Sequence, residues 1–307
     1  MSAWTRSLDE LAERLAHQGG RARRLSAASQ AAYLKDARQV ATWLEANGLE
    51  RPEQITPSAL VAAFRGLAWA PPTQARALTA LRSWLEPYHA PGRSPADLVD
   101  RPRAIPPPVP RLSQRDAAAA VGGAPRSAEG PIPQALELRD RALLEVLYGS
   151  GLRRQEACDL ELAQLDFEHE TLRVVGKGGR ARTVPLTEPS AMALRHWLAD
   201  GRPALAARAA RAPSTVFLTR SGRPMDGSAV YRVVSRALRR AGRGGGPHLL
   251  RHAAGTHLLE GARPGEGAHL RVVQEVLGHA SLATTQRYTG VTTRAIQSQL
   301  RRAHPRG

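Results

Sequence analysis

Seven prolines between residues 90 and 111 constrain most strongly how this chain of 307 residues can fold. The stretch reads APGRSPADLVDRPRAIPPPVPR and has no sustained helical or strand periodicity. Proline fixes φ and removes a backbone donor, so such a segment tends to be extended rather than helical. The sequence therefore predicts two domains, residues 1–89 and 113–307, joined by a proline-rich linker at residues 90–112.

The first domain is predicted to be helical. Apolar residues recur at i, i+4, i+7 and i+11 from Tyr33 to Leu44, which is one face of a helix. Leu78, Leu81 and Leu85 continue this spacing in a later segment. Thr56–Pro57 is typical of a helix start, with proline in the first turn. About four helices are expected here.

The second domain is predicted to be mostly helical with one small sheet. LRVV and RTVPL are rich in β-branched residues and flank a glycine-rich turn, which indicates an antiparallel β-hairpin. Helical patterns precede and follow this hairpin, and Ser113 is placed to cap the first of them. We therefore expect a mainly α fold class and not a doubly wound α/β fold.

The charge of the chain indicates a polyanionic partner. The formal net charge is +17 and the pI is about 11.4, and a nucleic acid would relieve the self-repulsion of so basic a protein. An arginine-rich proteome is the alternative explanation. One cysteine, no secretory signal pattern and no long apolar run favour a cytoplasmic protein without a membrane span.

Five of the ten histidines lie between residues 248 and 279, and two interpretations compete. His248 and His252 are four residues apart, a spacing that can place two imidazoles on zinc. However, leucine stands where the metalloprotease motif has its glutamate. His248 and Arg251 are three residues apart, so they share a helix face and could grip a phosphate. Neither pattern is specific alone.

Four motifs occur together in this chain: GSGLRRQEA, a lysine flanked by glycines, HLLRHAAGTHLL and VVQEVLGHASLATTQRYTG. Together they closely resemble the tyrosine recombinases, and within that family the Xer subfamily. The resemblance covers nearly the whole chain. It implies a helical core-binding domain followed by a catalytic domain at residues 113–303, which together form a C-shaped clamp on DNA.

The resemblance implies a catalytic role for one residue set, carried over motif by motif. These residues are Arg153, Lys177, His248, Arg251, His279 and the nucleophile Tyr288. Glu156 matches a position that supports Arg153 and does not act as an acid. The resemblance implies no cofactor and no metal ion.

The chemistry of these residue types fits such a reaction. A tyrosine that attacks a phosphodiester gives a 3′-phosphotyrosine and a free 5′-hydroxyl, and it keeps the bond energy for religation without ATP. Arginines and imidazoles can replace a metal in neutralising the phosphate. Lys177 is one of only two lysines in the chain. An ammonium gives up a proton more readily than a guanidinium, so we predict that Lys177 is the general acid.

The resemblance also implies partners. It implies double-stranded DNA, a XerD-like recombinase in a heterotetramer, and a DNA translocase of the division machinery as activator. The ending AHPR resembles the XerC branch more than a phage integrase, and a C-terminal helix is expected to dock on a neighbouring subunit. A phage or plasmid integrase, a metal-dependent nuclease built on the histidines and a non-catalytic DNA-binding protein remain alternatives.

Several positions depart from the family pattern. Residues 262–268 are longer than the usual link before LRVVQ and are expected to form a flexible loop. Arg180 and Gly290 stand where relatives often have lysine and histidine. None of these changes falls on the residues with implied catalytic roles. Away from those residues, Cys158 is expected to be buried, and His252 and His257 to be core or hydrogen-bonding residues.

Overall fold

The computed structural model describes residues 2–17, 25, 27–90, 92–102, 111–123, 129–176, 181–263, 265–278 and 293–306. The chain divides into two compact units, Met1–Val109 and Pro110–Gly307. Each unit has its own cluster of buried apolar side chains. The point of division falls inside the proline-rich stretch, while the domain limits of 1–89, 90–112 and 113–307 stay a prediction.

The described part of the first unit contains four α-helices. They are α1 Ala3–His17, α2 Ala27–Ala46, α3 Pro57–Gly66 and α4 Pro71–Leu85, with 3₁₀ turns at Pro52–Gln54 and Glu86–Tyr88. Helix α3 begins as its sequence predicts. The Thr56 hydroxyl accepts a hydrogen bond from the Ala59 backbone N–H at 3.2 Å, which satisfies a donor that the helix leaves free.

The predicted apolar faces form the core of this unit. Ala37, Val40 and Leu44 are fully buried in α2, and Leu78, Leu81 and Leu85 are buried in α4. Burying a side chain of leucine size contributes about 1.5–3 kcal/mol. The spacing of these residues along each helix is therefore what packs α2 against α4.

Part of the predicted linker packs on the first unit. Ser94 and Ala96 are buried, and the Ala96 carbonyl accepts a hydrogen bond from Arg82 Nε at 3.3 Å. Leu112, at the other end of the predicted linker, belongs to the core of the second unit. The two ends of this proline-rich segment are thus attached to different cores.

The second unit is built from helices around a small sheet. Its described helices are α5 Gln114–Gly122, α6 Pro131–Gly149, α7 Arg154–Cys158, α8 Glu188–His196, α9 Arg202–Ala206, α10 Gly227–Arg240, α11 Pro247–Glu260, α12 Leu270–Leu277 and α13 Thr293–Ala303, with a π-helical turn at Trp197–Gly201. The Ser113 hydroxyl caps α5 by accepting the Asp116 N–H at 3.0 Å. None of the helices in the described ranges is long and apolar enough to cross a lipid bilayer.

The sheet has three antiparallel strands in the order β1–β2–β3. They are β1 Leu165–Asp166, β2 Thr171–Val175 and β3 Ala181–Pro185. The predicted hairpin is β2 paired with β3, with Leu172 opposite Val184 and Val174 opposite Arg182. The mainly α fold class with a small antiparallel sheet is confirmed. Strand β1 is too short to have a pattern of its own, and the sequence did not predict it.

The C-terminal helix α13 packs on its own domain. Leu300 and Ala303 are buried, and Arg301 pairs with Glu170 of the β1–β2 turn at 2.5 Å. His304 is 2% exposed, and Arg306 forms an ion pair with the fully buried Glu145 of α6. The predicted docking of this helix on a neighbouring subunit stays a prediction.

The described residues between α11 and α12 form a tight turn. The Ala268 N–H donates to the Leu258 carbonyl at 2.9 Å, and the Glu266 N–H donates to the Arg263 carbonyl at 3.1 Å. Gly261 has a φ of +84°, and a Cβ there would lie 2.5 Å from the Gly267 nitrogen. The extra residues therefore fold back onto the end of α11.

Candidate active site

Arg153 stands at the entrance to α7. It adopts an extended conformation at the N-cap, after the buried Leu152, and its backbone N–H donates to Glu156 Oε2 at 2.8 Å. Its guanidinium donates to Glu156 Oε1 at 2.8 Å and to the Gly278 carbonyl at 2.7 Å. The predicted support of Arg153 by Glu156 is present, because both the backbone and the side chain of Arg153 are held by one carboxylate.

Arg251 reaches the same place from the first turns of α11. Its guanidinium donates to the carbonyls of Gly151 and Leu277. Burial, then the positive charges of Arg153 and Arg182, lower the pKa of Arg251 to about 10. The side chain therefore stays charged at neutral pH, in a site that already holds other positive charge.

Glu156 is the carboxylate at the centre of this cluster. Arg182 of β3 grips it with two hydrogen bonds, Nη1 to Oε1 at 2.6 Å and Nη2 to Oε2 at 2.9 Å. Burial alone would raise the pKa of Glu156, but the hydrogen bonds from Arg182 and from Arg153 outweigh it. They lower that pKa to about 2. Glu156 is therefore ionised at every ordinary pH.

The three guanidiniums and one carboxylate make a net positive site. We call Arg153, Glu156, Arg182 and Arg251 the arginine cluster. Two of the guanidiniums also donate to consecutive carbonyls, those of Leu277 and Gly278. These carbonyls directly precede His279 in the sequence. The cluster can attract an anion such as a phosphodiester, because its positive charge exceeds its negative charge.

His248 lies one turn before Arg251 on α11, and its side chain is exposed. The structure thus brings Arg153 and Arg251 together and leaves His248 open to solvent beside them. Lys177, His279 and Tyr288 lie outside the described residues. Their predicted roles stay predictions.

The other residues singled out in the sequence, His257, Cys158 and His252, differ in how far they are buried. His257 is buried, with Nε2 donating to the Leu112 carbonyl at 2.8 Å, so its Nδ1 accepts from the Tyr148 hydroxyl at 2.8 Å. Cys158 is buried as predicted, and burial raises the pKa of its thiol to about 11. His252 is exposed on α11, so it is not a core residue, and the alternative that it forms a hydrogen bond stays a prediction.

The histidine pair does not complete a metal site among the described residues. Within those ranges, no group of three or more His, Cys, Asp or Glu side chains could hold a metal ion. His248 and His252 are both exposed on α11, beside the positively charged Arg251. A guanidinium next to a dication is electrostatically unfavourable.

Arg182 is the member of the cluster that the sequence interpretation missed. Its signal was available, because Arg182 and Val184 are two residues apart on β3 and so share one face of the strand. Val184 is fully buried and the Arg182 side chain is only 17% exposed. An arginine on the inward face of a strand needs a buried acid, and Glu156 is that acid.

Comparison with known proteins identifies the family. A profile of the Phage integrase family matches residues 125–294. The chain is 40% identical over 308 residues to the tyrosine recombinase XerC of Mycobacterium leprae (strain TN), which covers 97% of this chain and 99% of the relative. The chain belongs to the Phage integrase family.

Further relatives agree with this membership of the Phage integrase family. Tyrosine recombinase XerC of Mycobacterium tuberculosis (strain ATCC 25177 / H37Ra) is 40% identical over 309 residues, covering 97% of this chain and 98% of the relative. As a family member, the protein is a site-specific tyrosine recombinase, an enzyme that exchanges DNA strands. The predicted family and reaction class are confirmed.

Solved structures of the family share the fold. XerH recombinase bound to a palindromic difH substrate in a post-cleavage complex has a TM-score of 0.65 and 19% identity, covering 89% of this chain and 77% of that one. A lambda integrase dimer bound to a COC′ core site has a TM-score of 0.65 and 17% identity, covering 95% of this chain and all of that one, at 100%. At these identities the likeness bears on the fold alone.

Proposed function

We propose that this recombinase acts in the Xer role: it resolves chromosome dimers at a dif-like site, together with a XerD-like partner. The support is the 40% identity to XerC relatives along 97% of the chain. A heterotetramer would bring two duplexes together and exchange strands in two pairs. A DNA translocase of the division machinery is the proposed activator.

The proposed reaction is a metal-free transesterification at a DNA phosphate. The Tyr288 hydroxyl loses its proton to solvent as its oxygen forms a bond to phosphorus. The bond from phosphorus to the 5′-oxygen breaks, and the Lys177 ammonium gives its proton to that leaving oxygen. Arg153, Arg251, His248 and His279 would hold the non-bridging oxygens. Religation reverses these steps, so no ATP is needed.

One observation carries the residue assignment. Arg153 and Arg251 come from distant segments, and their guanidiniums donate to Gly278 and Leu277, the two residues before His279. Phosphoryl transfer depends on positioning and on neutralised charge. Two fixed guanidiniums in a site of net positive charge supply both. Removing one such donor typically costs on the order of 10²–10³ in rate.

A nicked suicide duplex carrying a dif-like site tests the chemistry. After the enzyme cuts it, a short fragment diffuses away and the covalent complex accumulates. We expect a 3′-phosphotyrosyl adduct that forms equally well in EDTA and is abolished in Tyr288→Phe. Loss of cleavage in EDTA would favour a metal-dependent nuclease. DNA binding without an adduct from the wild type would favour a non-catalytic binding protein.

The partner is tested separately with a plasmid that carries two dif-like sites. We expect recombinant circles only when this chain and a XerD-like protein are both present. A chain that recombines the sites alone would instead act as a phage or plasmid integrase does.

A further inference from the structure

We propose that Arg182 is a positioning residue that neutralises Glu156, so that this carboxylate does not offset the charges of Arg153 and Arg251 at the scissile phosphate. This inference rests on the proposed function, because it takes the two motif arginines to bind that phosphate. It adds a residue that none of the four sequence motifs contains. Arg182 would act through Glu156 and not on the DNA.

The contacts of Glu156 divide its two arginine partners into different types. Both terminal nitrogens of Arg182 donate hydrogen bonds to the Glu156 carboxylate, at 2.6 and 2.9 Å. Arg153 gives the carboxylate one guanidinium hydrogen bond and turns its other terminal nitrogen to the Gly278 carbonyl. The Arg182 side chain is 17% exposed, and that of Arg153 is 35% exposed. Arg182 is thus the buried counter-ion, and Arg153 is the more open group.

The charge of the cluster shows what Arg182 contributes. A carboxylate at the centre of the site would oppose the approach of a phosphodiester, and its charge can offset only one guanidinium. With Arg182 paired to Glu156, the charges of Arg153 and Arg251 remain in excess. Without Arg182, Glu156 would offset one of those two. The positive electrostatic potential at the site would then be lower. The loss matters because these side chains are partly shielded from water, where charges act most strongly on each other.

Neighbouring groups fix the position of Arg182. It lies on β3 opposite Val174 of β2, so the strand pairing sets its backbone. Its Nε atom is buried and has no hydrogen-bond partner among the described residues. A Cβ at Gly278 would come within 2.7 Å of that nitrogen, so the glycine leaves the space that the guanidinium fills. The strand pairing and the space left by Gly278 therefore position Arg182 against Glu156.

The first test measures cleavage of the nicked suicide duplex at saturating enzyme, alongside DNA affinity. Arg182→Gln should lower the first-order cleavage rate about 10²-fold while DNA affinity changes little. Arg182→Lys restores the charge without the two-point grip, so it should recover to within about tenfold of the wild type. Arg208→Gln removes an exposed arginine of the same unit, and it should cleave as the wild type does.

A second test separates neutralisation of Glu156 from simple packing. If Arg182 serves to offset the Glu156 charge, it becomes dispensable once that charge is gone. Adding Arg182→Gln to Glu156→Gln should therefore change the cleavage rate by less than about threefold, a strong departure from additivity. The double variant removes both members of the Glu156–Arg182 ion pair, so neither is left as an unpaired charge. The comparison of Glu156→Gln with the double variant therefore stays available if Arg182→Gln alone does not fold.

The outcomes distinguish this inference from the proposed function. An equal loss on removing Arg182 with and without the Glu156 charge would overturn the positioning role. So would an Arg182→Gln enzyme that cleaves like Arg208→Gln. A wild-type enzyme that forms no adduct on its correct site would instead overturn the proposed function itself. Melting temperatures of all variants are recorded so that rates refer to folded protein.

Discussion

The guanidinium of Arg182 occupies the space that a side chain on Gly278 would need. An ideal Cβ at Gly278 would lie 2.7 Å from Arg182 Nε and 2.9 Å from its Cζ. Gly278 also has a φ of +61°, and its carbonyl accepts a hydrogen bond from Arg153. The glycine that precedes His279 therefore serves the arginine cluster through both its backbone and its missing side chain.

Gly278→Ala should lower adduct formation strongly and the free energy of unfolding only modestly. The added methyl would displace Arg182 from Glu156 and shift the carbonyl that holds Arg153, so we expect adduct formation to fall at least about tenfold. The left-handed backbone alone costs about 1–2 kcal/mol for a non-glycine residue. Gly242→Ala is the matched control, since Gly242 has a φ of +73° and nothing within 4 Å of its Cβ position. Equal adduct yields from the two variants would contradict the space-filling role.

Arg306→Ala should destabilise the second unit. Glu145 is fully buried, and even with Arg306 beside it burial raises the pKa of its carboxyl. Removing the partner of a buried charge costs about 3–5 kcal/mol, whereas an exposed pair is worth about 0–1 kcal/mol. Arg301→Ala breaks such an exposed pair with Glu170. Hydrogen exchange of α6 peptides measures the loss of stability in Arg306→Ala and in Arg301→Ala. Similar protection in the two variants would count against a stabilising role for Arg306.

His304 should make this unit sensitive to mild acid. It lies against the Tyr148 ring at 4.8 Å between centroids, and Glu145, His257 and Arg306 are the charged or titratable groups around it. Burial, then the charges of His257 and Arg306, lower its pKa from 6.5 to about 3. The unfolded chain therefore binds the proton first. The stability that neutral His304 contributes is present above about pH 6.5, and it declines as the pH falls from there towards 3.

The size of that effect can be measured by hydrogen exchange of α6 peptides at two pH values. Between pH 7.5 and 5.5 this one group should remove about 1.4 kcal/mol, which is one pH unit of linkage. His304→Leu should reduce the pH dependence by that amount. His196→Leu changes an exposed histidine of α8 and should leave the dependence as in the wild type. A pH dependence unaltered in His304→Leu would mean that other groups cause it.

Lys177→Arg should slow cleavage although it keeps the charge. If the lysine protonates the departing 5′-oxygen, arginine is a poor substitute because its pKa is above about 12. We expect a loss on the order of 10² in rate, within the range typical of general acid catalysis. A 5′-thio leaving group needs little protonation, so it should restore most of that rate. Normal cleavage of ordinary DNA by Lys177→Arg would remove the lysine from the mechanism.

Local signals in the sequence predicted the elements that depend on neighbouring residues. The cap at Thr56, the cap at Ser113 and the β2–β3 hairpin all follow from residues within a few positions of each other. The cluster at Glu156 was only half foreseen. Its contact with Arg153 was implied by the family resemblance. The strand alternation marks Arg182 as inward-facing, but it does not show that the partner is Glu156, which lies 26 positions away.

Exposure was harder to predict than helix location. The α11 helix was expected where it occurs, yet His252 faces solvent while His257 is buried against Tyr148 and Leu112. These two histidines are five positions apart, so they cannot share one helix face. The burial of His304 against Tyr148 and the pairing of Arg306 with Glu145 depend on side chains of α6, far away in the sequence, and no local feature indicates them.

The arginine cluster also bears on the order in which parts of the protein fold. Its members lie at residues 153, 156, 182 and 251, and their carbonyl partners extend to 278. Apart from the local Arg153–Glu156 contact, the set therefore assembles through contacts of long sequence separation. Such contacts form late in folding because each must close a long loop first. A partly folded chain thus carries the same basic residues without the contacts that bring Arg153, Arg182 and Arg251 together.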